Sequence, residues 1–151
     1  MASTNWLSDD EMRLWRAFLA ATSAMGTTID ASMRAKHSMT LDDYEVLVHL
    51  SEATDHRLRM SELSGQIMHS RSRLTQRVDR LEERGFVARA KCDDDARGTW
   101  AILTDEGMAA IEKVAPSHLE DVRNFFFDHV DPADLPVLVR SFEEIAAQLR
   151  S

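Results

Sequence analysis

At Phe86 the apolar spacing of this chain changes from three and four residues to two, and a helical spacing resumes after Thr104. Upstream, "SRSRLTQRVDRLEERG" sets Leu74, Val78 and Leu81 on one helical stripe and closes on Gly85, a residue suited to the left-handed position after a helix. Downstream, "FVARAKC" and "TWAIL" alternate on either side of "DDDARG", which reads as two strands and a charged turn. A lone hairpin is marginal in water, so this one must lean on the helices around it. The chain is therefore confined to a mainly α fold carrying a small β-hairpin wing.

The flanks supply those helices. Ser8 caps a helix running to about Lys36, with Trp15, Phe18, Met25, Ile29 and Met33 at helical steps. At 1.5 Å per residue it is about 40 Å long, too extended for a small core and suited to a partner. Thr40 caps a second helix with Leu41, Tyr44, Leu47, Val48 and Leu50 inward, and Ser61 a short third with Leu63 and Ile67 inward. Beyond Thr104, Met108, Ile111, Val114, Leu119, Val122, Phe126 and Val130 mark a buried side, with a bend expected at Pro116. The last helix is expected from Asp134, and Leu135, Leu138, Phe142, Ile145 and Leu149 form a seam for another helix. The run Phe125, Phe126 and Phe127 cannot share one helix face, and packing across a subunit boundary explains it best.

Charge separates the centre from the ends. The chain of 151 residues has a net charge of −8, yet residues 57–97 carry +3 and the remainder −11. No acid lies in residues 70–77, where Ser70, Arg71, Ser72, Arg73, Thr75, Gln76 and Arg77 are gathered within two turns. Arg73, Arg77, Arg80 and Arg84 follow at four-, three- and four-residue steps, which puts them on a face expected to point away from the core. Arg80 and Arg84 have acids close in sequence and read as a solvated, salt-bridged surface. Arg71, Arg73 and Arg77, with no acid among residues 70–77, read as DNA contacts. Arginine can bond guanine O6 and N7 together, glutamine serves adenine in the same way, and serine and threonine reach bases or phosphates. Three short helices, the third basic, followed by a hairpin with Arg97 near its tip, make the plan of a winged helix-turn-helix.

The segment "DDARGTWAILTDEG", together with "SRSRLTQRVDRLEERGFVAR", resembles the MarR family of bacterial transcription regulators. The resemblance implies N- and C-terminal dimerisation helices, residues 1–37 and 105–151, around a DNA-binding lobe at 38–104. It implies a homodimer on double-stranded DNA with a pseudo-palindromic operator, and usually repression released by a small ligand or by oxidation. By position, Asp95 would hold Arg97 in a minor groove, residues 70–77 would read the major groove, and Ser61 would anchor a phosphate. An aromatic acid is the effector class that the analogy suggests, with Arg16, His37, Tyr44 and His49 as candidate lining residues.

Other chemistries find less support. His37, His49, His56, His69, His118 and His129 lack metal-ligand spacing, so no metal is expected. Cys92 has no internal disulfide partner, and the three aspartates after it disfavour a thiolate. There is no phosphate-cradling glycine loop or nucleophile motif, so neither an enzyme nor a cofactor is expected. A winged-helix protein-interaction module is the alternative, against which the acid-free turn at 70–77 weighs. No apolar run approaches a membrane span and the first residues lack a secretion signal, so a cytoplasmic location is the expectation.

Overall fold

The computed structural model describes residues 4–67, 71–92 and 98–150. Its elements are α1 (Asp9–His37), α2 (Leu41–Glu52), β1 (Arg57–Arg59), α3 (Met60–Gln66), α4 (Arg71–Glu83), β2 (Val87–Lys91), β3 (Thr99–Leu103), α5 (Asp105–Phe125) and α6 (Leu135–Arg150). This is a winged helix-turn-helix with added terminal helices. Two compact units are distinguished, Met1–Pro116 and Ser117–Ser151.

In the first unit, α1 begins at the expected cap. The Ser8 hydroxyl accepts from the Glu11 N–H at 3.3 Å, and the Glu11 carboxylate accepts from the Ser8 N–H at 2.7 Å. These bonds, the backbone one foremost, hold the Glu11 carboxyl below its usual range. The helix ends on Ser38, a non-glycine residue at φ 51°, and Thr40 caps α2 by accepting from the Asp43 N–H at 2.9 Å. The core gathers Ile29 and Met33 from α1 with Val46, Leu47 and Leu50 of α2, Leu63 of α3, and Leu74, Val78 and Leu81 of α4. Val87, Ala101 and Leu103 add the inner side of the sheet. Cys92 is buried beside the hairpin, where its N–H donates to Gly98 O at 3.0 Å.

The sheet has three strands in the order β1-β3-β2, all antiparallel, rather than the two of a simple hairpin. Arg57 faces Ile102, Leu58 faces Ala101 and Arg59 faces Trp100, while Val87 to Lys91 pair with Leu103 to Thr99. One apolar residue between two arginines leaves no readable alternation, so β1 is not visible in the sequence. It forms because the free edge of β3 offers it hydrogen bonds. Its arginines also lie over the Trp100 ring, at 4.8 Å for Arg57 and 5.3 Å for Arg59.

The turn "LTDEG" joins the sheet to α5. The Thr104 hydroxyl donates to Gly85 O at 2.6 Å and accepts from the Gly107 N–H at 3.0 Å, while the Thr104 N–H donates to Phe86 O at 3.1 Å. Gly85 takes φ +75°, as expected of the residue ending α4. A Cβ on Gly107 would stand 2.2 Å from Phe86 O, so only glycine fits beneath that carbonyl.

In the second unit, Asp131 caps a short 3-10 turn at Pro132–Asp134 by accepting from the Ala133 N–H at 2.9 Å, and α6 follows from Leu135, one residue later than expected. Pro136 thereby falls in the first turn of α6, where its missing N–H breaks no bond. α5 is helical on both sides of Pro116. Leu119, expected inward, is 59% exposed. Phe125, Phe127, Phe142, Ile145 and Leu149 are exposed as well. Phe126 and Phe127 meet edge to face at 5.1 Å.

Candidate nucleic-acid interface

Outside its apolar stripe α4 presents Ser72, Arg73, Thr75 and Gln76 to solvent, with Ser72 and Gln76 opposite the stripe and Arg73 on the flank next to Arg77. Its first turn holds no acid, and helix N-termini carry partial positive charge, so polarity and side chains favour an anion together. Ser61 is exposed in the first turn of α3. It is not the cap of that helix, because α3 starts one residue earlier, where the Arg59 N–H donates to Glu62 Oε2 at 2.8 Å. An open concavity brings Ser61 and Thr75 together with Arg59, Asp79, Arg89 and Thr99, between the start of α3, the middle of α4 and the base of the wing. Arg71 belongs to α4 by its backbone; Ser70, Asp95 and Arg97 lie outside the described residues.

Arg77 is the main correction. It is 8% exposed, and its guanidinium is held by Asp42 at 2.6 Å and Asp43 at 3.5 Å, with Thr40 Oγ1 also at 3.5 Å. Its place on α4 explains this: Leu74, Arg77, Val78 and Leu81 are spaced by three, one and three residues, so Arg77 stands on the apolar stripe itself. The charge survives burial because α2 begins with two aspartates beside it. Arg80 pairs with Asp43 at 3.7 Å rather than with acids of its own helix, and Arg84 lies 4.6 Å over the Phe86 ring. The four-arginine face expected from the spacing is therefore divided, and Arg73 is the member left exposed on the first two turns of α4.

Arg89 is a residue of this surface that the sequence reading did not single out. From β2 its guanidinium reaches Asp79 at 2.6 Å and Glu82 at 2.8 Å, and donates to Thr75 O at 3.3 Å. It thereby ties the wing to α4 and offsets the two acids that would otherwise oppose a polyanion there. A signal was present: Arg89 has the parity of buried Val87 along β2, so it points toward α4 rather than to open solvent.

The four candidate ligand residues are not gathered into one site. Arg16 is exposed on α1, almost six turns or about 30 Å from His37 on the same helix. Tyr44 is buried, which pushes its phenol pKa up. His49 Nε2 stands 4.0 Å from the Glu45 carboxylate, one turn back on α2. Among the described residues, no group of three histidine, cysteine or acidic side chains is placed to hold a metal, and no helix is long and apolar enough to cross a membrane.

Residues 39–99 match the model of the MarR family. The chain is 38% identical to the crystal structure of AbsC, a MarR family transcriptional regulator from Streptomyces coelicolor, over 97% of this chain and 99% of that one, with a TM-score of 0.90. It is 34% identical to Sco3205 from the same organism, a MarR family transcriptional regulator solved in complex with DNA, over 100% of this chain and 94% of that one, with a TM-score of 0.93. The regulator PecS of Dickeya dadantii is 31% identical over 60% of this chain and 55% of its own length. The chain thus spans about half the length of the curated relatives it matches.

Proposed function

Because the chain belongs to the MarR family of transcriptional regulators, we propose that it acts as a homodimer on double-stranded DNA, with α4 in the major groove. The observation that carries this reading is the acid-free first two turns of α4, where Arg73, Thr75 and Gln76 stand exposed in a fold shared with a regulator solved on DNA. Arg71, Ser70 and Ser72 complete the reading turn, Ser61 meets the phosphate backbone, and Arg97, held by Asp95, enters the adjacent minor groove. The terminal helices, residues 1–37 and 105–151, join the two copies. The exposed apolar side chains of α6, with Leu14, Trp15 and Leu19 on α1, support that role. Action is cytoplasmic and repressive, and is released by a small ligand that prefers a spacing of the two α4 helices unable to span successive grooves.

The test is binding to a duplex that the protein itself selects from a random-sequence pool, titrated at several salt concentrations. Affinity should fall steeply with salt as counterions are released. Arg73→Ala is expected to reduce the slope by about one and to weaken the selected duplex by roughly tenfold or more, with the melting point unchanged. A flat salt response, or an Arg73→Ala curve that overlays the parent, would overturn the reading. Light scattering should return about twice the chain mass of 17.1 kDa, and Phe142→Glu with Ile145→Glu should shift it toward that of one chain. A parent that already runs as a single chain would remove the dimer.

A further inference from the structure

Asp42 and Asp43 are the first acids of α2, and both point at a helix distant in sequence. Asp42 is half exposed and makes the shortest contact to Arg77, at 2.6 Å, while Asp43 is buried and shared between Arg77 and Arg80. The start of α2 is itself tied to α1, since Asp30 Oδ1 accepts from the Leu41 N–H at 2.9 Å and Asp30 Oδ2 from Arg34 Nε at 2.6 Å. A continuous polar path therefore runs from the C-terminal part of α1, through the first turn of α2, to the middle of α4.

Arg77 lies one turn after Arg73 on α4, and residues four apart sit above one another on a helix. Whatever fixes the Arg77 head therefore fixes the rotation of α4 about its own axis, and with it the direction of Arg73 and Gln76. A groove-reading constellation tolerates only about 10–20° of misorientation. The apolar stripe resists sliding of α4, but Leu74, Val78 and Leu81 are rounded side chains that permit a small roll. A two-aspartate grip on one guanidinium does not.

We propose that Asp42, acting through Arg77, is a positioning residue that sets the sequence specificity of DNA binding without touching DNA. This rests on the regulator reading above. The proposal opposes plain electrostatics in sign. Removing an acid from a chain of net charge −8 should strengthen binding to any polyanion. Loosening α4 should weaken only the base-reading part, because the phosphate attraction is indifferent to small rotations.

The experiment compares Asp42→Asn, Asp42→Glu and the parent on two duplexes, one selected by the parent from a random pool and one of scrambled sequence. Asp42→Asn is expected to lower the ratio of selected to scrambled affinity by about tenfold. Scrambled-duplex affinity should stay unchanged or rise, the salt slope should be retained, and the melting point should move little because Asp42 is half exposed. Asp42→Glu keeps the charge and should recover part of the ratio. If both affinities rise together, or neither changes, Asp42 is an ordinary surface acid and the proposal falls. If both fall along with the melting point, its role is structural support and the proposal falls equally. A parent that selects no duplex at all sinks the regulator reading itself, which is a different outcome from a parent that selects one and a variant that reads it as well.

Discussion

Arg77→Ala is expected to lower the free energy of unfolding by about 3–5 kcal/mol, the range for removing one partner of a buried ion pair. The loss has two sources. Asp43, 5% exposed, would lose its nearest cation and keep the more distant and more exposed Arg80, and the space filled by the arginine stem would be left empty beside Leu74 and Leu81. For a domain of this size the melting point should fall by about 10 °C. Urea unfolding at fixed protein concentration, which keeps any association constant, measures it. The paired change Arg77→Leu with Asp43→Leu should recover most of the loss, since a buried charge pair and a packed apolar pair are often close in stability. A loss below 1 kcal/mol in the single variant would mean that the arginine is not held inside as described.

Gly107→Ala is expected to cost about 3 kcal/mol, for a steric reason rather than an electrostatic one. The added methyl would stand 2.2 Å from Phe86 O and 2.7 Å from Leu103 Cδ1. The carbonyl cannot retreat freely, because the Thr104 N–H donates to it and the Thr104 hydroxyl is bonded to Gly85 next door. Gly26→Ala is the control. It lies inside α1 with nothing within 4 Å of its added Cβ, so it should stabilise by about 0.5–1 kcal/mol. Equal effects of the two changes in urea unfolding would show that the close approach beneath Phe86 is not a constraint.

Where local chemistry decides the structure, the sequence was readable. The Ser8 and Thr40 caps, Gly85 at positive φ, the paired strands around the charged turn and the helix after Thr104 each depend on a few neighbouring residues, and each stands where the pattern puts it. What escaped was decided by partners distant along the chain. β1 exists because β3 has a free edge, which three residues reading Arg57, Leu58 and Arg59 do not announce. The spacing of Arg77 fits both the arginine face and the apolar stripe, and only the aspartates of α2, thirty-odd residues earlier, make its buried position tolerable. Arg16, His37, Tyr44 and His49 are polar candidates on or near the helices, and nearly six helical turns separate the first two.

Arg89 leaves the molecule little freedom in how it can approach a partner. With one guanidinium bonded to two carboxylates and a main-chain oxygen of α4, the strand and the helix turn as one rigid tool rather than as two fingers. On the proposed reading, a duplex that accommodates either element must take both in the same pose. Misfit under one is then felt at the other, and engagement becomes all-or-none instead of graded.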